Sequence, residues 1–165
     1  MNKCLFFLIL WVSVVNADVA LDIQQGTLKP YHLAVPKIEG DPEISSKLRS
    51  VLVNDLQSSG FVHVVDTVAY VEKLTFDNTP QFDAWRLIKC RGVLISRIHK
   101  EGDHLKVHFK LWDVYGKRRQ LDFTLQTYEK DWRRLAHIMA DKVYTAITGD
   151  PGYFDTRIVY IAESG

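Results

Sequence analysis

Residues 91–128 read RGVLISRIHKEGDHLKVHFKLWDVYGKRRQLDFTLQTY, and this stretch decides the fold because apolar and polar side chains alternate along most of it. Three alternating runs follow one another at residues 91–99, 104–115 and 118–128. The pairs Gly102-Asp103 and Gly116-Lys117 separate the runs, and glycine beside a polar residue is typical of tight hairpin turns. A period of two residues between such turns predicts a three-stranded antiparallel meander.

The alternation also assigns each apolar side chain of the meander to a face of the sheet. In the second and third runs, one face carries Leu105, Val107, Phe109, Leu111, Leu121, Phe123 and Leu125. The opposite faces of these runs are polar. We therefore expect helices to cover one face and solvent to contact the other.

Two long helical patterns flank the meander. The first begins at Asp41-Pro42-Glu43, which supplies an N-cap acceptor, a proline at the first helical position and an early acid, and it ends at Gly60. The second begins at Asp131 and ends before a Gly-Asp-Pro sequence. Their apolar stripes are Ile44, Leu48, Val51, Leu52 and Leu56 in the first, and Trp132, Leu135, Ala136, Met139, Val143, Ala146 and Ile147 in the second.

Shorter elements are predicted between these patterns. Short strands are expected at residues 31–35 and 61–65, and short helices at residues 68–73 and after Thr79-Pro80. The last of these would carry Phe82 and Trp85 inward. Together the elements predict an α+β fold, a two-layer sandwich in which two main helices pack on a mixed sheet that includes the meander.

Composition and charge exclude several classes of protein. The chain has 165 residues, of which 47% are hydrophobic, far more than a disordered chain carries. Its 21 basic and 20 acidic residues nearly cancel, so no strong net field attracts nucleic acid or an anionic lipid surface. A chain of this size can form one domain with a single core.

The first seventeen residues have the three-part pattern of a secretory signal peptide. Lys3 supplies a positive charge, residues 4–15 are apolar except for Ser13, and cleavage is expected between Ala17 and Asp18. A membrane anchor is the alternative, but these apolar residues are fewer than the roughly 20 that span a bilayer. The sequence therefore predicts export, without direct insertion into a membrane.

Two further alternating segments lie near the ends of the exported chain. The first consists of Asp18, Val19, Ala20, Leu21, Asp22 and Ile23. Such a terminal strand is suited to addition onto the sheet edge of a partner, but it can equally pair with its own sheet. The second, at residues 154–162, either returns to the sheet or begins a structure outside this sequence.

The sequence contains no recognisable motif for catalysis or cofactor binding. A glycine-rich phosphate loop, a nucleophile elbow and a zinc-protease motif are all missing. His99, His104 and His108 lie on one hairpin with Asp103, but His104 and His108 are about 13 Å apart on an extended strand. We therefore expect no metal, no cofactor and no enzymatic activity. Cys90, the one cysteine left after export, is expected to be a small buried side chain.

The polar face of the meander offers a different function. It carries Arg97, His99, Lys106, Lys110 and Trp112. An exported ligand-binding or enzyme-accessory domain would use this basic face. In that case substitution of Arg97 or His99 would abolish ligand binding, and the N-terminal segment would be irrelevant.

Several short segments resemble the TolB family of periplasmic Tol–Pal system proteins. They are Ala34-Val35-Pro36, NDLQSSGF at residues 54–61, GVLI at 92–95, Trp112-Asp113-Val114 and, most specifically, ITG at 147–149 with Gly152, Phe154 and TRIVY at 156–160. The similarity extends over essentially the whole mature chain and is looser between residues 67 and 89.

The resemblance implies a domain layout. Residues 1–17 would be the signal peptide, residues 18–150 a TolB-like N-terminal α/β domain, and residues 151–165 a linker with the first strand of a β-propeller. The family's propeller carries the contacts with Pal and with colicins, and these residues contain no counterpart of it. Neither contact is therefore expected here.

The resemblance also implies a partner and a role. The mature N-terminal segment of the family engages TolA, and its counterpart here is the segment Asp18 to Ile23. The chain would then be a non-catalytic periplasmic component of the Tol–Pal complex. It would support outer-membrane integrity and constriction during cell division.

Overall fold

The structure, a computed structural model, describes residues 29–156. Its elements in chain order are β1 (Tyr31–Ala34), α1 (Pro42–Ser58), β2 (Val62–Val64), α2 (Phe82–Leu87), β3 (Gly92–Glu101), β4 (His104–Asp113), β5 (Arg118–Tyr128) and α3 (Trp132–Thr148). Short 3-10 turns cover Thr67–Ala69 and Glu129–Asp131. None of the helices in this range is both long enough and apolar enough to cross a bilayer.

The five strands form one mixed sheet in the order β2-β1-β3-β4-β5. β1 runs parallel to both of its neighbours, β2 and β3, whereas β3, β4 and β5 are successive antiparallel strands. The predicted three-stranded meander is confirmed. Parallel strands need a crossover connection, and α1 provides the one between β1 and β2.

The two long helices pack against each other on one face of the sheet. Leu48 and Leu52 of α1 and Met139 of α3 have no exposed surface, and neither do the inward residues of β4. Each fully buried aliphatic side chain of this kind contributes about 1.5–3 kcal/mol. The predicted α+β sandwich, with two main helices on a mixed sheet, is therefore confirmed.

The ends of the long helices follow their sequence signals. Asp41 Oδ1 accepts hydrogen bonds from the N–H groups of Glu43 and Ile44, both at 3.0 Å. Gly60 and Gly149 have φ angles of +70° and +85°, the left-handed conformation that glycine adopts without strain after a helix.

The opposite face of the sheet is mostly polar along β4 and β5, as predicted, but the expectation that solvent contacts all of it is wrong, because β1 and β3 carry apolar residues there. Part of the chain between β2 and β3 packs there and buries a second cluster. This cluster consists of Ala34, Phe76, Trp85, Cys90, Val93, Ile95 and Val114. The consecutive apolar residues Val93, Leu94 and Ile95 are the signal for it, because a strand buried on both faces loses its alternation.

The helix predicted at residues 68–73 is also wrong. A single turn at Thr67–Ala69 takes its place, begun by Asp66, whose carboxylate accepts from the N–H of Val68 at 2.9 Å. The residues that follow support the second cluster instead. Tyr70, for example, accepts a hydrogen bond at its hydroxyl oxygen from the N–H of Val35 at 2.9 Å.

The second short helix is present as α2, with Trp85 fully buried and Phe82 half-buried. Thr79-Pro80 does not cap it; Gln81 occupies the N-cap position without a side-chain hydrogen bond. Glu72 fixes this helix from outside, because its Oε1 accepts from the Gln81 N–H at 2.7 Å and from the Trp85 indole N–H at 2.6 Å.

The residues after α3 fold back onto it. The two carboxylate oxygens of Asp141 accept from the N–H groups of Phe154 at 2.7 Å and Asp155 at 3.2 Å. Arg134 in turn pairs with Asp155 at 3.1 Å. Residues 154–156 are not in a strand, and the rest of the strand predicted at 154–162 lies outside the described residues.

Candidate functional site

The N-terminal segment joins the domain at Tyr31, the first residue of β1. Its N–H donates to the carbonyl of Phe61 at 2.8 Å, and the guanidinium of Arg91 lies 5.0 Å from its ring centroid. Burial, with the negative charge of Asp113, raises the pKa of the Tyr31 phenol above its usual range. The start of β1 is therefore fixed, and it lies beside the first residue of β2.

The predicted partner-binding residues precede this point. Asp18, Val19, Ala20, Leu21, Asp22 and Ile23, and the expected cleavage site between Ala17 and Asp18, lie outside the described residues. β2 is an edge strand of three residues next to β1, and within residues 29–156 its outer edge pairs with no strand. Such an edge can accept an added strand.

An aromatic cluster that the sequence did not predict lies at the same end of the domain. Phe61, Tyr144, Tyr153 and Phe154 contact one another, with ring centroids 4.7 to 6.5 Å apart. Tyr153 is 50% exposed. The signal was three aromatic residues between positions 144 and 154. The cluster joins the residue before β2 to the C-terminal end of α3 and the residues that follow it.

The basic face of the meander is largely occupied by structural contacts. Arg97 forms ion pairs with Glu39 at 2.8 Å and Asp77 at 2.7 Å, and its guanidinium lies 4.7 Å from the Phe76 ring centroid. These hydrogen bonds raise the pKa of Arg97 and lower that of Asp77. The Lys110 ammonium lies over the same ring at 4.0 Å. This arrangement attaches the chain between β2 and β3 to the sheet and engages Arg97 and Lys110, whereas His99 and Lys106 of the same face are exposed.

The three histidines of the hairpin have separate partners. They pair as His99 with Glu101 at 3.3 Å, His104 with Asp103 at 2.7 Å and His108 with Asp122. Within residues 29–156, no three His, Cys, Asp or Glu side chains are grouped as a metal site would require.

Cys90 is completely buried in the second cluster, as the sequence predicts. Its thiol donates to the carbonyl of Gly92 at 3.1 Å, and burial raises its pKa to about 11. A thiol in this state is a poor nucleophile, so its role in the described structure is packing.

A concave surface that the sequence did not indicate lies between α1 and two loops, with a volume of about 960 Å³. We call it the basic groove; it is formed by residues 37–40, 73–75 and the α1 residues Ser45, Ser46, Arg49, Ser50, Val53, Asn54 and Gln57. Hydroxyl and amide side chains on the outer side of a helix are ordinary in a solvent-facing surface. The loop at residues 73–75 turns that surface into a groove, and helical periodicity does not predict its position.

The chain matches one protein family over most of the described domain. Residues 19–120, well over half of the 165 residues, match the model of the TolB amino-terminal domain. The matched range takes in all but the first residue of the N-terminal segment, and it continues through β1 to the start of β5.

Solved structures share the fold. TolB from Acinetobacter baumannii aligns with a TM-score of 0.69 and 23% identity over 77% of this chain, which spans 30% of the length of that protein. The hypothetical protein CT253 from Chlamydia trachomatis aligns with a TM-score of 0.56 and 10% identity, over 74% of this chain and 100% of its own. At these identities the likeness establishes the fold alone. The family model matches more than half of the chain, and this match shows that the chain belongs to the TolB amino-terminal domain family.

Proposed function

We propose that this protein is a non-catalytic component of the Tol–Pal envelope system that works in the periplasm. The observation that carries the proposal is the family match over residues 19–120. The family consists of non-enzymatic envelope proteins, and its TolB-like members are periplasmic. The predicted signal peptide at residues 1–17, removed between Ala17 and Asp18, agrees with this location.

TolA is the partner we propose for the mature N-terminal segment, residues 18–23. The family match includes this segment from residue 19 onward. Its alternation of acidic and aliphatic side chains suits strand addition, in which backbone hydrogen bonds supply affinity and alternate side chains enter pockets of the partner. The fixed start of β1, beside the edge strand β2, supports the proposal, since the segment precedes an ordered strand of the domain.

The domain layout follows the same family. We propose that residues 18–150 form the TolB-like domain and that residues 151–165 are a linker and the first strand of a propeller. The bonds from Asp141 to the backbone of residues 154 and 155 support this layout, because they set the direction in which the chain leaves α3. Contacts with Pal and colicins would belong to the propeller, and contacts with TolA to the N-terminal segment at residues 18–23.

At the level of the cell, the proposed role is to couple the inner membrane to the outer membrane through TolA. Loss of that coupling would weaken the outer-membrane barrier and delay constriction at division. The domain itself would supply binding only, with no chemical step.

The experiment is a calorimetric titration of the mature chain, residues 18–165, with the periplasmic C-terminal domain of TolA. We expect binding in the micromolar range that disappears when residues 18–25 are deleted. Leu21→Asp should lower the affinity at least about tenfold, whereas Ala20→Ser, on the other side of the strand, should lower it by less than about threefold. Binding that survives the deletion would place the interface on the folded body, and no binding at all would contradict the TolA contact.

A further inference from the structure

The basic groove has features of a binding site that the proposed TolA contact does not use. The groove lies along the outer face of α1, between the loop that follows β1 and residues 73–75. Ile38, Val53 and Leu74 supply apolar surface within it; Ile38 is 6% exposed and the other two are half-buried. Among the described residues, most of its remaining lining is polar or basic, and Glu39 is its one acid.

One buried hydroxyl in the groove has no partner. Ser45 lines the groove and is 5% exposed, and its Oγ forms no hydrogen bond within the described residues. Buried polar groups in folded proteins are nearly always paired, because an unpaired one loses its bonds to water and gains nothing in return. Its Oγ is itself covered, so a polar atom of a ligand in the groove would pair with this hydroxyl once the Ser45 side chain turns toward the groove.

The charges of the groove are unbalanced. Lys37, Arg49 and Lys73 have no carboxylate within ion-pair distance among residues 29–156. Arg49 is positioned by the backbone, since it donates to the carbonyl of Val35 through Nη2 at 2.7 Å and through Nε at 2.9 Å. The acid of the groove, Glu39, is already bound to Arg97 and to the N–H of Phe76.

The groove has the length and donors for an extended chain. Ser46, Ser50 and Asn54 stand at successive intervals of four on α1, so they form one line along the helix. From Ser46 to Gln57 the helix rises about 16 Å, the length of about five residues of extended peptide.

We propose that the basic groove binds an extended acidic peptide segment of a partner protein. Carboxylates of the segment would pair with Lys37, Arg49 and Lys73, and an aliphatic side chain between them would pack against Ile38 and Leu74. Backbone groups of the segment would pair with the hydroxyl and amide side chains of α1. The apolar surface favours this ligand over a simple anion, which would leave it uncovered.

The test uses nitrogen-15 amide spectra of the mature chain with two synthetic peptides. The probe is acetyl-Gly-Asp-Leu-Glu-Leu-Asp-Gly-amide, and its control replaces each acid by the corresponding amide. We expect the acidic peptide to shift amides of α1 and of residues 37–40 and 73–75, with an affinity at least about tenfold above that of the control. Lys37→Glu and Lys73→Glu should each weaken binding about tenfold or more, whereas Lys106→Glu, an equal charge change on the far face of the sheet, should not.

Ser45→Ala separates a binding role from a structural one. Removing a hydroxyl that has no partner should leave the melting temperature unchanged or raised, while the affinity for the acidic peptide falls several-fold. The proposal would be overturned if both peptides bound equally well or if the shifted amides lay outside the groove. It would also be overturned if Lys37→Glu and Lys73→Glu left the affinity for the acidic peptide unchanged. Binding that appears only after deletion of residues 18–25 would also overturn it, because the chain's own N-terminal segment would then be the occupant.

Discussion

Asp55 on α1 and His137 on α3 are joined by a hydrogen bond of 2.6 Å between Oδ2 and Nδ1. The side chains are 11% and 28% exposed, so the pair is shielded from most of the solvent. The other contacts between these helices are largely apolar, and apolar contacts are non-directional. A charged hydrogen bond has stricter geometry, and we infer that it fixes the register of α1 against α3.

The first prediction follows from this pair. Asp55→Ala and His137→Ala should each lower the free energy of unfolding by about 1.5–3 kcal/mol, because each leaves a shielded polar group unpaired. The loss of unfolding free energy in the double variant should be smaller than the sum of the two single losses by at least about 0.5 kcal/mol. Denaturant unfolding near neutral pH measures all three. Lys47→Ala, which removes an exposed pair with Glu43, is the control and should cost under about 0.5 kcal/mol; strictly additive losses would show that the helices are not coupled through this bond.

The second prediction concerns the cluster on the opposite face of the sheet. Trp85→Ala should lower the free energy of unfolding by about 3–5 kcal/mol, because it empties a fully buried site and removes one of the two hydrogen bonds that Glu72 accepts. Leu87→Ala, on the same helix but 85% exposed, should stay within about 0.5 kcal/mol of the parent. Similar losses of unfolding free energy for both variants would mean that this cluster does not take part in the cooperative unfolding of the domain.

The elements that the sequence predicted correctly are those whose signals are local. Asp41 caps the helix that it precedes, and Gly60 ends that helix. The alternation from Leu105 to Leu111 involves the residues of a single strand. Periodicity of this kind tells which side of an element is buried. It therefore predicts the layers of the sandwich and the strand order of the meander.

What the sequence did not predict depends on contacts between distant segments. Glu72 accepts a hydrogen bond from Trp85 across a loop, and the ring of Phe61 contacts that of Tyr144. Lys73 lines the same groove as α1 because the chain turns back toward that helix after β2. Hydrophobic periodicity does not indicate which distant segments contact one another. For this reason the basic groove was missed, and of the second cluster only the burial of Trp85 and Cys90 was predicted.

The third prediction concerns Gly40, where the loop after β1 passes β3. Its φ is +126°, and a Cβ there would lie 2.2 Å from the carbonyl oxygen of Ile98. Gly40→Ala should therefore lower the free energy of unfolding by more than about 2 kcal/mol. Gly102→Ala is the matched control, with positive φ but nothing within 4 Å of the new Cβ, and it should cost about 1 kcal/mol. Thermal or denaturant unfolding distinguishes them, and equal losses would contradict the close approach of residue 40 to β3.

The fourth prediction concerns the thiol of Cys90. With its pKa raised to about 11, the thiolate fraction at about pH 8 falls on the order of 100-fold below that of an unfolded cysteine. Alkylation of the native mature chain should be slower by at least that factor than alkylation in concentrated guanidinium chloride. Thr79→Cys adds an exposed thiol, so that variant should show one fast and one slow phase. A native rate close to the unfolded rate would contradict the burial of Cys90.

The last prediction concerns the pH dependence of the pair between His108 and Asp122. The hydrogen bond from His108, aided by the charge of Arg119, lowers the pKa of Asp122 below its ordinary value of 3.8. A carboxylate whose pKa is lower in the folded state stabilises the fold above its ordinary pKa and ceases to do so as the pH falls through the folded value. Asp122→Asn should therefore cost up to about 1 kcal/mol near pH 7, a small value because the pair is one-third exposed. The difference in unfolding free energy between Asp122→Asn and the parent should become smaller below about pH 4. The effect of Gln126→Ala, an uncharged change on the same strand, should not vary with pH. A difference for Asp122→Asn that grows as the pH falls would contradict the prediction.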